Sequence, residues 1–212
     1  MNTDRNRHGR TPGPQEPAQA AGRADGGRRA AVVVRPIAAG DHAAVAALTE
    51  AAYVRGGHVK PDNGYLPKLR DVATRAAEAE VLVAEVPGPD GHPVVAGSVV
   101  LAPHGHPWAE VAYPDEYEFR MLAVHPDHHR RGIARALVDA VIERARATAG
   151  VRAVVLSSLV SMRGAHRLYA SYGFEHVPSR DWMLSEMIPG IPLHKDKGPF
   201  PVYRMLLEAE QS

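Results

Sequence analysis

The sequence has no cysteine in 212 residues, which excludes a disulfide scaffold, thiolate metal sites, redox dithiols and a cysteine nucleophile. It also lacks an excess of either charge: 25 Lys and Arg stand against 24 Asp and Glu, a formal +1. That balance argues against a dedicated nucleic-acid or membrane-surface binder. No apolar run approaches the roughly 18 residues that span a bilayer. The patterns G-x-G-x-x-G, G-x-x-x-x-G-K-[ST] and G-x-S-x-G are missing, so Rossmann, P-loop and serine-elbow chemistry lack their fingerprints. What remains is an ordinary globular composition, 45% apolar and 23% charged, sufficient for one buried core. Lysine is scarce, 4 against 21 arginines, a sign of GC-rich bacterial coding that says nothing of activity.

Residues 1–30 contain five Gly, three Pro, six Arg and three acids, with no large aliphatic or aromatic residue beyond Met1. Such a stretch cannot bury enough apolar surface to offset its ordering entropy. A disordered Arg/Gly/Pro-rich tail over 1–30 is therefore expected ahead of one domain over 31–212. An Arg-rich start invites a transit-peptide reading, but the apolar segment of a secretion signal is missing, and a cytoplasmic protein is expected.

Within the domain, Val32-Val33-Val34 followed by Pro36 predicts a strand, and Asp41 predicts the N-cap of a helix reaching Tyr53. Leu66, Leu69, Val72 and Ala76 predict a second helix from Leu66 to Ala79. Strands at Val81–Val86 and Val94–Leu101 flank the dense turn chemistry of Pro87-Gly88-Pro89-Asp90-Gly91 and form an antiparallel pair. Glu118–Val124 is the next strand. Gly132 opens a long helix striped by Ile133, Leu137 and Val141, which Gly150 stops. A buried strand at Val151–Leu159, a helix at Met162–Tyr172 closed by Gly173, and strands at Phe174–Val177 and Val202–Leu207 complete the order. The fold class is α+β, a mixed central sheet flanked by helices, with a strand–helix–strand crossover at its centre.

The most informative stretch is Val124-His125-Pro126-Asp127-His128-His129-Arg130-Arg131-Gly132-Ile133-Ala134-Arg135. A strand feeds a short basic loop that becomes a helix N-terminus, where free backbone N–H groups and the positive end of the helix dipole favour a pyrophosphate. Gly132 permits close backbone approach, and Arg130, Arg131 and Arg135 add charge. Alone, this arrangement reads equally well as an ordinary helix start.

From Glu118 to Phe174, however, the chain resembles the GNAT superfamily of acetyl-CoA-dependent N-acetyltransferases. The family's Leu-Ala-Val-x-Pro strand stands as Leu122-Ala123-Val124-His125-Pro126, and its [QR]-x-x-G-x-[GA] loop as His129-Arg130-Arg131-Gly132-Ile133-Ala134. Its A-x-x-L-Y-x-x-x-G-F segment is complete as Ala165-His166-Arg167-Leu168-Tyr169-Ala170-Ser171-Tyr172-Gly173-Phe174. Two positions depart from the pattern: His129 replaces the usual Gln or Arg, and Met162 stands where many members hold the pantetheine arm with Asn. The resemblance implies the GNAT acyl-CoA N-acyltransferase fold, acetyl-CoA as co-substrate, and a cofactor site formed by Leu122, Ala123, Val124, His129 to Arg135, Met162 and Ala165.

The same resemblance assigns the chemistry. An alkylamine with a pKa near ~10.4 is mostly protonated at neutral pH, so a positioned base is valuable. Glu118 matches the general base of histone-acetylating members, with Glu116, Asp115 and Glu110 as nearby substitutes. A backbone N–H of Leu122–Val124 polarises the thioester carbonyl, and Tyr169 matches the general acid. Each residue also has a plain structural reading, a strand-end carboxylate for Glu118 and a core aromatic for Tyr169. Without a cysteine or a serine elbow, direct attack by the amine in a ternary complex is the simplest mechanism.

Twelve histidines raise the question of a metal, but His104-x-His106 and His125-x-x-His128-His129 lack a spaced partner set, and no metal is expected. Tyr53, Tyr65, Trp108, Tyr113, Tyr117 and Trp182 are candidates to wall an acceptor pocket between Tyr53–Leu69 and Ser179–Pro201. Asp115, Glu116 and Glu118 would suit a cationic amine. A small-molecule primary amine is the expected acceptor. Protein lysine or N-terminal acetylation, and a CoA-binding regulatory module without turnover, remain open. Homodimerisation is common in the superfamily and would bury the C-terminal strands.

Overall fold

The computed structural model describes residues 32–187 and 198–208. The expected tail over 1–30, part of the Ser179–Pro201 segment and the last four residues lie outside them.

Each element follows from local sequence. Apolar, β-branched runs form β2 (Glu80–Pro87) and β3 (Pro93–Pro103). The turn between them closes through the Gly88 N–H to His92 carbonyl bond, 2.8 Å, and the Asp90 carboxylate accepts the His92 N–H at 3.1 Å, an Asx-type turn. β1 (Val33–Pro36) pairs with β2, and β4 (Glu116–Val124) with β3, all antiparallel. Then α4 (Ile133–Ala147) carries the chain over the sheet, so that β5 (Ala153–Ser157) runs parallel to β4. The two-residue β6 (Glu175–His176) and β7 (Val202–Leu206) complete one seven-stranded sheet in the order β1-β2-β3-β4-β5-β7-β6.

Strand alternation sorts the core into two layers. Leu82, Ala84, Val99, Leu101 and Phe119 face the stripe Ile133, Leu137, Val138, Val141 of α4. Val83 and Ala123 face α1 (His42–Val54) through Val45 and Leu48. Gly97 sets the closeness of the first layer: a Cβ there would lie 2.7 Å from Ile133 Cγ2. Central strands buried on both faces explain the near-continuous aliphatic runs.

One predicted helix is two. The span Leu66–Ala79 divides at Asp71 into α2 (Leu66–Arg70) and α3 (Val72–Glu78). Asp71 leaves the helical region, with ψ 71°, and its carboxylate accepts the Thr74 N–H at 3.2 Å. A short acidic side chain gains more as an N-cap than inside a helix. The late helix is α5 (Arg163–Ala170), and a last short helix, α6, spans Leu184–Met187.

Candidate active site

The site begins with a fault in β4. Between the pairs Ser98↔Ala123 and Val100↔Arg120, β3 advances two residues while β4 advances three. The surplus is absorbed at Met121, whose φ is 50°, a bulge that re-aims the strand. On its other edge β4 pairs with β5 only at Glu116, Tyr117 and Glu118. Beyond Glu118 no strand among the described residues pairs with that edge. A parallel pair that parts toward its carboxyl ends leaves a crevice of the kind in which ligands bind in such sheets.

The loop closing that crevice is a set of unanswered donors. Arg130 (φ 62°) and Gly132 (φ 85°) are both left-handed. The first intrahelical bond of α4 runs from the Ala136 N–H to the Gly132 carbonyl, 3.0 Å. Among the described residues, the backbone N–H groups of Arg130 to Arg135 have no acceptor. They converge at the positive end of a 15-residue helix, and the space over Gly132 is open. A pyrophosphate answers that arrangement. Ile133 offers only its amide, since its side chain is core. His129 Nε2 lies 3.2 Å from the Val124 carbonyl oxygen. Arg131 donates to His128 Nδ1 at 2.8 Å, and Arg135 to Ser171 Oγ at 3.1 Å. Arg130 alone among the loop's arginines is exposed and unengaged by described residues. Leu122 and Ala165 pack half-buried against the core, and Met162 is the N-cap of α5.

Tyr169 of α5 sits beneath the same crevice, 5% exposed, ringed by Phe119, Phe174 and Tyr203 at centroid distances of 5.8, 5.8 and 6.1 Å. Among the described residues its hydroxyl has no hydrogen-bond partner. Burial, then the neighbouring Tyr203, pushes its pKa well above that of a free phenol. Tyr53 of α1 lies close enough to feel Tyr169, and its own pKa is raised chiefly by burial.

Glu118 is 0% exposed. One oxygen, Oε2, accepts the backbone N–H groups of Glu110, Val111 and Ala112 at 2.8, 2.8 and 3.1 Å. The other, Oε1, has no hydrogen bond and lies 3.6 Å from Arg120 Nε. Burial raises its pKa, more than the N–H of Val111, Arg120 and the N–H of Glu110 together lower it. One oxygen is thus anchored and one is free, in a group that binds a proton more readily than an ordinary carboxylate.

Glu116 departs from expectation. It is taken up by Arg180 at 2.9 and 2.8 Å, by Arg204 at 2.6 Å and by the Tyr113 N–H at 2.9 Å. Although burial opposes it, these partners hold its pKa below the usual range. It is a structural ion cluster with no capacity left for a cationic amine. Glu116→Gln is expected to cost about 3 kcal/mol, by leaving two arginines short of their counter-charge. Urea unfolding measures this, and a loss under ~1 kcal/mol would assign the cluster to the weak surface class.

The aromatic wall divides in the same way. Tyr53 and Tyr65 stand together, 6.4 Å apart, and join Trp108 and Met121 in a second apolar cluster. Tyr117 is core, Tyr113 lies under the Arg180 guanidinium, and Trp182 stacks on Phe200. Sequence reasoning missed Arg180, Arg204, Arg75 and Arg120. The carboxylate that Arg180 and Arg204 share lies 64 and 88 residues away, and no local pattern marks any of the four. Among the described residues no three metal-ligating side chains come together, and no helix is long and apolar enough to cross a membrane.

A splayed parallel pair ending in a cradle of free amides on a mixed seven-stranded sheet is an arrangement suited to a phosphate-bearing ligand. Residues 77–176 match the model of the acetyltransferase (GNAT) domain, which marks that segment as an acetyl-CoA-dependent acyltransferase domain. Solved structures agree in fold. A GNAT-family acetyltransferase of Staphylococcus aureus Mu50 is 13% identical with a TM-score of 0.58, covering 84% of this chain and 100% of its own. The yncA protein of Salmonella typhimurium, solved with its cofactor acetyl-CoA, is 20% identical with a TM-score of 0.56, covering 85% and 96%. A spermidine N-acetyltransferase chimera from Vibrio cholerae is 18% identical with a TM-score of 0.53, covering 82% and 95%. No curated protein matches the sequence.

Proposed function

We propose that the protein transfers the acetyl group of acetyl-CoA to a primary amine of a small molecule, by direct attack in a ternary complex. The observation that carries this reading is the run of unanswered N–H groups from Arg130 to Arg135 at the end of the β4–β5 crevice. Those amides, with His129 beside them, hold the pyrophosphate. Met162 at the N-cap of α5, Ala165 on that helix and Ala123 of β4 flank the pantetheine arm. When bound, acetyl-CoA supplies an activated thioester. The backbone N–H groups of Leu122–Val124 are the oxyanion donors.

Glu118 Oε1 takes the amine proton, directly or through water, and Tyr169 returns one to the departing sulfur as the carbon–nitrogen bond replaces carbon–sulfur. The domain works in the cytoplasm, with residues 1–30 as an extension outside it.

The test is thermal unfolding with acetyl-CoA, CoA, NAD and ATP side by side, followed by CoA release with polyamines, aminoglycosides, amino acids and peptides. Stabilisation by the first two ligands only, and turnover with small amines, supports the reading. Acetylation of peptides alone would move it to protein acetylation. Binding of CoA without turnover on any acceptor would leave a CoA-binding module.

Glu118 adds a pH signature. A base must be ionised to work, and burial raises this one, so the acid limb of kcat should lie above the ordinary carboxylate value of about 4.3. Glu118→Gln should remove that limb and lower kcat by about 10². A limb that persists in the variant would return Glu118 to its role as anchor of the 110–112 loop.

A further inference from the structure

Three consecutive backbone N–H groups, those of Glu110, Val111 and Ala112, converge on Glu118 Oε2. Successive amides aimed at one oxygen form an anion-binding nest, and here the anion is the protein's own carboxylate. These residues belong to no helix or strand, so their order comes from what holds their carbonyls and side chains. The Val111 carbonyl accepts from Arg180 Nη2, and the Ala112 carbonyl lies 2.7 Å from His104 Nδ1. The Tyr113 N–H donates to Glu116 at 2.9 Å, and the Arg180 guanidinium lies 3.8 Å over the Tyr113 ring. Ahead of the nest, Arg120 donates to the Trp108 carbonyl at 3.0 Å and pairs with the Glu110 carboxylate at 2.5 Å.

Arg180 is the common partner. It ends the single 3-10 turn Pro178–Arg180, 69 residues from Val111, with its side chain 10% exposed. One guanidinium meets Glu116 through Nη1 at 2.9 Å and Nη2 at 2.8 Å, and also the Val111 carbonyl and the Tyr113 ring. It therefore ties the loop to β4 two residues before Glu118. A planar fork of five donors serves a carboxylate and a carbonyl at once, which a compact ammonium does poorly. Few other charges face Glu118. Its neighbours in register, Ala102 of β3 and Val155 of β5, are apolar. Arg120 Nε is 3.6 Å from Oε1, Glu110 adds a like charge, and Arg204 of β7 is taken up by Glu116. Arg180 and Glu118 also feel each other's charge. Burial favours the protonated acid, and the N–H of Val111, Arg120 and the N–H of Glu110 oppose it.

We propose that Arg180 is a positioning residue for the reaction: it locks the nest that holds Glu118 Oε2, so that Oε1 is presented to the amine in a fixed direction. This rests on the acetyl-transfer reading, with Glu118 as the base. Arg180 lies outside the cofactor loop and acts through the Val111 peptide and Glu116. Without it the loop keeps Arg120 and His104 but loses its tie to the start of β4. A buried carboxylate with fewer amides on it takes up a proton more readily. A base that is already protonated takes none from the amine.

The experiment uses the full chain carrying carbon-13 at the glutamate carboxyls, with the Glu118 signal assigned by its absence from Glu118→Gln. Titration followed by NMR reads this group with no acceptor present, and the pH profile of kcat reads it in turnover. Arg180→Met should move both the Glu118 titration and the acid limb of kcat upward by about 1 pH unit, with the KM for acetyl-CoA unchanged. Arg180→Lys keeps the charge but not the fork, and should shift both in the same direction. Arg204→Met is the control. It also removes a partner of Glu116 and should lower stability in urea. Among the described residues, however, Arg204 makes no hydrogen bond to the 110–112 loop, so titration and limb should stay in place. A Glu118 titration unmoved in Arg180→Met, moved as far by Arg204→Met, or restored in full by Arg180→Lys overturns the proposal and leaves acetyl transfer standing. A titration that moves while the limb of kcat does not would instead remove Glu118 as the base, and the role of Arg180 with it.

Discussion

Tyr169→Phe is expected to lower turnover by about 10² or more while acetyl-CoA binds as before. The variant isolates chemistry from packing. A phenylalanine ring keeps the contacts with Phe119, Phe174 and Tyr203. The hydroxyl it removes has no hydrogen-bond partner among the described residues, so no network is broken. Any loss of rate then belongs to the missing proton. Transfer from a phenol of pKa about 10 to a thiolate whose acid is near ~8.5 is mildly uphill in water. Burial raises the Tyr169 pKa further, but the same apolar crevice penalises a thiolate anion as well. The gap between them is therefore set by proximity more than by either value. Steady-state kinetics with an acetyl-CoA titration and a melting curve check all three expectations. Undiminished turnover would reduce Tyr169 to a core aromatic.

The amide cradle was far more legible in sequence than the candidate acceptor side, for a physical reason. The amide cradle is local: strand, loop, Gly132 and helix lie within one stretch of chain, and the backbone groups that form it need no distant partner. The stripe of α4 and the Val-rich strands are likewise periodic and were predicted to within a few residues. Asp71 shows the limit of periodicity. Apolar spacing continued through it, and the cap chemistry that split the helix lay in one polar residue.

The acidic cluster shows a deeper limit. Glu116 and Glu118 alternate on one strand, and sequence alone offered both to a cationic amine. The fold gives Glu116 to Arg180 and Arg204, which lie 64 and 88 residues further on. It gives Glu118 three amides from a loop that folds back over β4. Which carboxylate keeps a free oxygen was decided by tertiary contacts.

Gly132→Glu should reverse the pattern of Tyr169→Phe, abolishing acetyl-CoA binding while the apo domain stays folded. Gly132 has φ 85°, a conformation that costs an ordinary L-residue about 1–2 kcal/mol. A Cβ there meets nothing within 4 Å, so the penalty is one of backbone and not of packing. The carboxylate would then stand in the space toward which the N–H groups of Arg130 to Arg135 converge, where it could satisfy those donors itself. That partly offsets the strain, and it also competes directly with a pyrophosphate and repels it. Strain, lost charge-assisted bonds and repulsion together amount to roughly 4 kcal/mol, or about 10³ in affinity. Gly132→Ala separates the terms, because it keeps the strain and removes the charge. Its loss should be confined to about tenfold. Thermal shifts with acetyl-CoA measure both variants. A glutamate variant that still binds at native affinity would place the cofactor's phosphates elsewhere and undo the assignment of this loop.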